Sequence, residues 1–215
     1  MVRACLIDVY DTILQADFIP RTKALIEPLG LPPEEWLAEW ETMREDRDRG
    51  RMTVAASFAQ TLRALGVEPK PELVAELSRR DEELFRSHCR VWDDTVPFLT
   101  WLRSRGTLTA LVSNCADTTR AHLDRLGISP LVDAMVLSCE VGSMKPYPEM
   151  YLTALDDLGV AAVDAVFIDD QPAFCAGARA LGIRPFQIAR GEPGGAVSPW
   201  DFPVVHSLSE VQPLL

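Results

Sequence analysis

Several residue types that often carry chemistry are scarce in this chain. Histidine occurs three times, at His88, His122 and His206, with no ligand-like spacing, so neither a zinc centre nor a Ser-His-Asp site finds support. The five cysteines (Cys5, Cys89, Cys115, Cys139, Cys175) are odd in number and scattered, and none belongs to a C-x-x-C pair. They read as small buried hydrophobes in a reducing compartment. No apolar run approaches the length that spans a bilayer, and in "MVRACLIDVYD" an acid follows too soon for a signal peptide. A cytoplasmic protein without a membrane partner is expected. Positive charge is short too: 21 Lys and Arg against 32 Asp and Glu leave a net charge of −11, which weighs against nucleic acid as a partner. Lysine appears only at Lys23, Lys70 and Lys145 in an otherwise arginine-rich chain, a skew that suggests a GC-rich bacterial genome. A lysine kept in a special context then invites a chemical reason.

What is present is ordinary in amount and informative in order. With 215 residues, 47% hydrophobic and 25% charged, the chain suits one domain of good size or a core with an insert. "RACLIDVY" reads as a short buried strand. From about residue 16 to 90 the apolar residues recur at helical spacing, in "RTKALIEPLG", "PEEWLAEWETMRED", "TVAASFAQTLRALGV" and "PELVAELSRRDEELFRSHC". No strand is expected there. After "VWDDTVPFLTWLRSRG" strands and helices alternate: "TLTALVSN", "TTRAHLDRLG", "DAMVLSCE", "PEMYLTALDDLG", "DAVFIDD", "AFCAGARALG" and "RPFQIAR", followed by a Gly/Pro loop and a short tail. Such alternation predicts an α/β fold, a doubly wound parallel sheet with helices on both faces. The expected organisation is an α/β core of residues 1–14 and 92–215 with a small all-helical domain at 15–91.

In doubly wound sheets, active sites gather beyond the carboxyl ends of the strands. The first strand ends at Asp8, "LTALV" ends at Ser113-Asn114, and "AVFI" ends at Asp169-Asp170. Between the last two lies "GSMKPYP", with Lys145 before a helix start. Each taken alone has a plain structural role, as a turn, a helix cap or a solvated lysine. Together they bring carboxylates, a hydroxyl and a lone lysine to one edge, and two adjacent acids against a buried strand repel unless a cation or donors offset them.

These four segments, in this order, resemble the motifs of the haloacid dehalogenase-like hydrolase superfamily, and the likeness covers essentially the whole chain. "LIDVYDTIL" matches the first motif with Asp8 as nucleophile, but carries Tyr10 where the phosphatases have a second Asp and Asp11 where a Gly is usual. Ser113, Lys145 and the Asp169-Asp170 pair match the second, third and fourth motifs. The resemblance implies a Rossmann-like core, a helical cap between the first strand and the rest, and Asp8, Tyr10 and Lys145 as catalytic residues. It also implies substrate contacts from Ser113, Asn114 and Lys145. A Mg²⁺ ion held by Asp8, the Tyr10 carbonyl, Asp169 and Asp170 would ease attack on an anionic phosphate. Lys145 is expected at a solvent-facing pocket edge, and Asp11 is expected to face away from Asp8 because side chains alternate along an extended segment.

The family's dehalogenases carry Tyr at the second site, because halide leaves without a proton, yet they work without metal and lack the paired acids. The chain thus has half of each signature. The favoured expectation is a Mg²⁺-dependent phosphatase on a small phosphorylated metabolite. The alternatives are a metal-independent 2-haloacid dehalogenase and a binding or scaffold protein that keeps the pocket without turnover. A monomer or homodimer is expected. In "REDRDRGR" a solvated helix face is expected, where one arginine facing the core could grip a carboxylate or phosphate, and Trp36 and Trp40 share one helical face suited to core packing.

Overall fold

A computed structural model describes residues 2–191 and 201–215; the Gly/Pro loop expected after "RPFQIAR" falls largely at 192–200, outside the described residues. Among the described residues eight strands are formed: β1 (Ala4–Ile7), β2 (Leu14–Ala16), β3 (Cys89–Val91), β4 (Leu108–Ser113), β5 (Ala134–Leu137), β6 (Ala165–Asp169), β7 (Arg184–Ile188) and β8 (Val204–Val205). Six make one sheet in the order β5-β4-β1-β6-β7-β8, and every neighbouring pair is parallel. Parallel pairing requires crossovers, and the helices between the strands supply them. From β1 the chain builds outward through β4 and β5, then returns to the other side of β1 with β6. The order therefore reverses at β1, the place beyond whose carboxyl end doubly wound sheets bind their ligands.

Alternation sorts the strand residues between the two faces. Cys5 and Ile7, Leu111, Val166 and Ile168, and Phe186 and Ile188 enter one hydrophobic layer. Ala4 and Leu6, Ala110 and Val112, and Ala165 and Phe167 enter the other. Burial on both faces explains why these strands read as near-continuous apolar runs.

Residues 18–88 are helical, chiefly in Phe18–Ile26, Pro33–Thr42, Val54–Ala64 and Pro71–His88. They enclose a third apolar cluster of their own, around Trp36, Phe58 and Leu62. Trp40 stacks on Phe58 with ring centroids 5.1 Å apart, and Trp36 lies 6.1 Å from the same ring. One arginine of the charged run does turn inward: Arg47 is 5% exposed, lies over the Trp40 ring at 3.9 Å and donates to the Trp40 carbonyl at 2.8 Å.

The absence of strands between 15 and 91 needs correction at both ends. β2 and β3 pair antiparallel, Leu14 with Val91 and Ala16 with Cys89, and Arg90 donates to the Gln15 side chain at 2.7 Å. This ribbon ties together the points where the chain leaves the sheet and returns. Each strand has three residues and gains its partner across more than 70 residues of chain, so neither carries a local strand signal. The helical segment meets the sheet domain again where Val54 N–H donates to Asp117 at 2.9 Å and where Phe85 stacks on His122 at 3.6 Å. Gly50 also approaches closely: its φ is +68°, and a Cβ there would fall 1.9 Å from the Cys139 carbonyl oxygen.

Candidate active site

Asp8 follows the last residue of β1, and its N–H donates to the Ile168 carbonyl of β6 at 2.9 Å. Asp169 ends β6 and Asp170 follows it. One carboxylate oxygen from each of Asp8, Asp169 and Asp170 lies within 4.8 Å of the others. The three acids read from the sequence therefore do converge, at the carboxyl ends of two adjacent strands.

Lys145 departs from expectation. It is 1% exposed, not at a solvent-facing edge, and its Nζ donates at 2.6 Å to Asp8 Oδ1 and at 2.6 Å to Asp169 Oδ2. Its stem and ammonium lie among Phe167 and Phe174, with Nζ 5.4 and 5.1 Å from their ring centroids. Burial by itself lowers a lysine's pKa, but the Asp169 and Asp8 carboxylates outweigh it and hold Lys145 above its ordinary value. A cation expected to serve catalysis and substrate binding thus also offsets two of the acids. The loop that carries it is held from both sides. Asn114 donates from Nδ2 to the Lys145 carbonyl at 3.0 Å and accepts from the Lys145 N–H at 2.6 Å. On the other side, helix Pro172–Ala180 presses close at Gly177, where a Cβ would lie 2.9 Å from Pro146 Cβ. The Gly of the "AGA" stretch is thus a packing requirement, and the Asn114 side chain positions Lys145 instead of reaching into the crevice.

Asp169 is fully buried, and its second oxygen accepts from the Gln171 N–H at 2.7 Å. Burial, with Asp8 adding to it, raises its pKa well above the carboxylate range despite Lys145. Burial and then the Asp8 charge push Asp170 up to about 6. One ammonium among three carboxylates leaves excess negative charge, and the cluster's oxygen-only donors suit a hard cation such as Mg²⁺ in type and spacing. Each Asp169 oxygen already accepts one hydrogen bond, so it can meet a cation only through its remaining lone pairs.

Tyr10, two residues after Asp8, turns its hydroxyl to Thr119 Oγ1 at 3.0 Å, and its ring packs against Phe18, 5.6 Å away, from the first helix of the 18–88 segment. Burial raises the phenol's pKa above its ordinary value. The φ of Asp11, +58°, lies in the left-handed region, so the strict alternation of an extended segment does not hold there; burial, and then the Asp8 charge, raise its pKa. The same dihedral accounts for the Gly usual at this position. Ser113 is fully buried, and its Oγ finds no partner among the described residues; the same is true of Thr12 Oγ1.

Arg190, just after β7, was missed in the sequence. It donates twice to the Thr12 carbonyl, at 3.1 and 2.7 Å, and once to Asp94 at 2.8 Å, which fixes the loop bearing Tyr10 and Asp11. An arginine after a strand looks like any surface arginine, so no local signal marks it.

A family model described as haloacid dehalogenase-like hydrolase matches residues 2–182. The glyceraldehyde 3-phosphate phosphatase of Methanopyrus kandleri is 30% identical over 200 residues, covering 89% of this chain and 86% of that protein. Among solved structures, the 2-haloacid dehalogenase of Pseudomonas syringae pv. tomato aligns with a TM-score of 0.77 at 21% identity, covering 100% of this chain and 98% of that one. A HAD phosphatase from Thermococcus onnurineus aligns at 0.73 and 23% identity, covering 99% and 97%. Those two likenesses speak for the fold, and the family match spans most of the sequence that builds it. The chain belongs to the haloacid dehalogenase-like hydrolases.

Proposed function

We propose that this hydrolase is a Mg²⁺-dependent phosphatase acting on a small phosphorylated metabolite, with residues 15–91 as a cap over the crevice. The observation that carries this reading is the meeting of Asp8, Asp169 and Asp170 within 4.8 Å, with Lys145 the one cation paired to them among the described residues. The likeness to a protein named glyceraldehyde 3-phosphate phosphatase supports it. Asp8, Asp170, Asp169 and the Tyr10 carbonyl would hold the ion. When bound, Mg²⁺ supplies positive charge that lessens repulsion between a carboxylate nucleophile and phosphoryl oxygens.

The chain's own residues do the rest. An aspartate needs no base to attack phosphorus, and Lys145, bonded to Asp8 Oδ1, fixes the carboxylate's direction. The P–O bond to the leaving group breaks as the Asp8–phosphorus bond forms, and water later releases phosphate from Asp8. The unpartnered Ser113 hydroxyl is the donor for a phosphoryl oxygen. Asn114 serves by holding the Lys145 loop. Tyr10 is a poor proton donor, since its phenol is shifted up and its hydroxyl is engaged with Thr119. Substrates whose leaving groups need no proton are therefore favoured.

Tyr10 also motivates a second reading, the metal-independent 2-haloacid dehalogenase, because halide likewise departs without a proton. One set of assays separates the two. With Mg²⁺, acetyl phosphate and nitrophenyl phosphate should turn over, while alkyl phosphates lag by about 10²-fold, the usual worth of general acid catalysis. Chelator should stop the reaction, and so should Asp8→Asn. Halide release from 2-haloacids in chelator, blocked by Asp8→Asn, would install the dehalogenase instead. Inertness to both substrate classes would move the chain to the binding or scaffold role.

A further inference from the structure

The turn from Asp8 to Ile13 is closed partly by its own backbone and partly from outside. The Ile13 and Leu14 N–H groups both donate to the Val9 carbonyl at 2.9 Å, and the Asp11 N–H donates to the Leu14 carbonyl at 2.6 Å. The Thr12 and Ile13 carbonyls are met by distant segments. Ile13 accepts from the Trp92 N–H at 3.1 Å and from the Thr95 hydroxyl at 3.0 Å. Thr12 accepts from Arg190 Nε and Nη2, and Nη1 of the same guanidinium reaches Asp94 Oδ2. That Asp94 oxygen also accepts from the Leu208 N–H at 2.8 Å, and the guanidinium lies 4.9 Å from the Trp92 ring centroid. Arg190 is itself anchored, because the preceding Ala189 donates to the Val205 carbonyl of β8 at 2.8 Å.

Thr12 stands two residues before β2, and Trp92 directly follows β3. These are the two legs on which the chain leaves the sheet domain for the helical segment and returns from it. One guanidinium, on a side chain only 9% exposed, bonds the outgoing leg through Thr12 and the returning leg through Asp94. We propose that Arg190 is a positioning residue for hydrolysis, clamping both legs at their base so that the helical segment moves without displacing Asp8 or the Tyr10 carbonyl. This rests on the phosphatase reading above, in which Asp8 attacks and the Tyr10 carbonyl helps to hold Mg²⁺. The hinge then lies beyond the clamp, in the β2–β3 ribbon, and the turn stays part of the sheet domain.

Two features of the turn call for such a clamp. Asp11 has a φ of +58°, and a non-glycine residue keeps that conformation only where its surroundings over-determine it. Asp8, Asp169 and Asp170 also repel one another, a force that a loose turn would relieve by drawing Asp8 away from β6. The residue type matters as well. The planar fork delivers two N–H groups to one carbonyl and a third to a carboxylate, a geometry that a lysine ammonium on its flexible stem does not fix. Such fixing bears directly on rate, since a displacement of about 1 Å at a reacting group can cost on the order of 10²-fold.

The test uses the full chain with Arg190→Lys and Arg190→Ala, assayed on acetyl phosphate with saturating Mg²⁺, well below the melting midpoint. Both variants should lose about tenfold or more in kcat while KM stays within about twofold. Calorimetric Mg²⁺ affinity should fall by about tenfold in both, because the Tyr10 carbonyl lies in the released turn. Hydrogen exchange, which needs neither substrate nor metal, should quicken at residues 9–14 and 92–95 and keep parental rates within 18–88. Parental kcat and Mg²⁺ affinity in both variants, a rise in KM alone, or exchange that quickens throughout the chain would each overturn the proposal. A parent that binds no Mg²⁺ and hydrolyses no phosphate overturns the phosphatase reading instead, and parental exchange at 9–14 in the variants would then remove the clamp as well. Arg190→Lys decides if Arg190→Ala fails to fold.

Discussion

The sheet edge and the helical segment handle charge in opposite ways. At the edge, Lys145 pairs with Asp8 and Asp169, partners 137 and 24 residues away, and all three side chains are at most 8% exposed. On the helical segment most pairs are local and wet: Arg79 with Glu76 and Glu83, Arg49 with Glu45, Arg51 with Asp46. Arg21 with Asp81 is the buried exception. A buried pair loses hydration on both sides, so removing one partner strands the other, whereas exposed pairs are screened and exchange freely with water. The difference separates charge that builds a site from charge that keeps a surface solvated.

Lys145→Ala is the strongest way to break the comparison. It leaves Asp8 and Asp169 buried without their cation, so stability should fall by about 3–5 kcal/mol along with loss of hydrolysis. Urea unfolding of the variant and parent measures this, and an unchanged midpoint would show that the buried bridge is not what holds the edge.

His122 tests the junction of the two regions. It is 2% exposed, stacked on Phe85, without a hydrogen-bond partner for either ring nitrogen among the described residues, and burial, aided by Arg21 and Arg125, lowers its pKa to about 4. The unfolded chain, at the ordinary value near 6.5, binds a proton that the folded chain refuses. Stability contributed by the neutral ring is therefore complete above that value and is lost as pH falls toward 4, by at most on the order of 3 kcal/mol. Buried Asp81, whose pKa burial raises, works in the opposite sense, so the informative quantity is a difference. His122→Phe keeps a ring against Phe85 and should flatten the fall between pH 6.5 and 4 relative to the parent in thermal melts. Parallel pH curves would reject the assignment.

The smallest effect is expected from Arg79→Ala. Its two ion pairs lie in solvent, so the melting midpoint and hydrolysis should both stay at parental values. A clear loss there would erase the distinction between the two regions.

By itself the sequence determined the alternation of buried strands and helices, the helical character of residues 18–88, and the arrival of Asp8, Ser113, Lys145 and Asp169-Asp170 at one edge. Those features are local: period and strand endings are written in neighbouring residues, and a parallel sheet then brings the strand ends together. Tertiary structure alone decided that Lys145 is sealed between two carboxylates, that Asn114 holds its loop, and that Arg190 braces Thr12. It also decided that Asp11 adopts a left-handed backbone and that β2 finds β3. Each depends on partners brought together from distant parts of the chain, or on a backbone dihedral imposed by the turn around it, and burial then sets the strength of every charge involved.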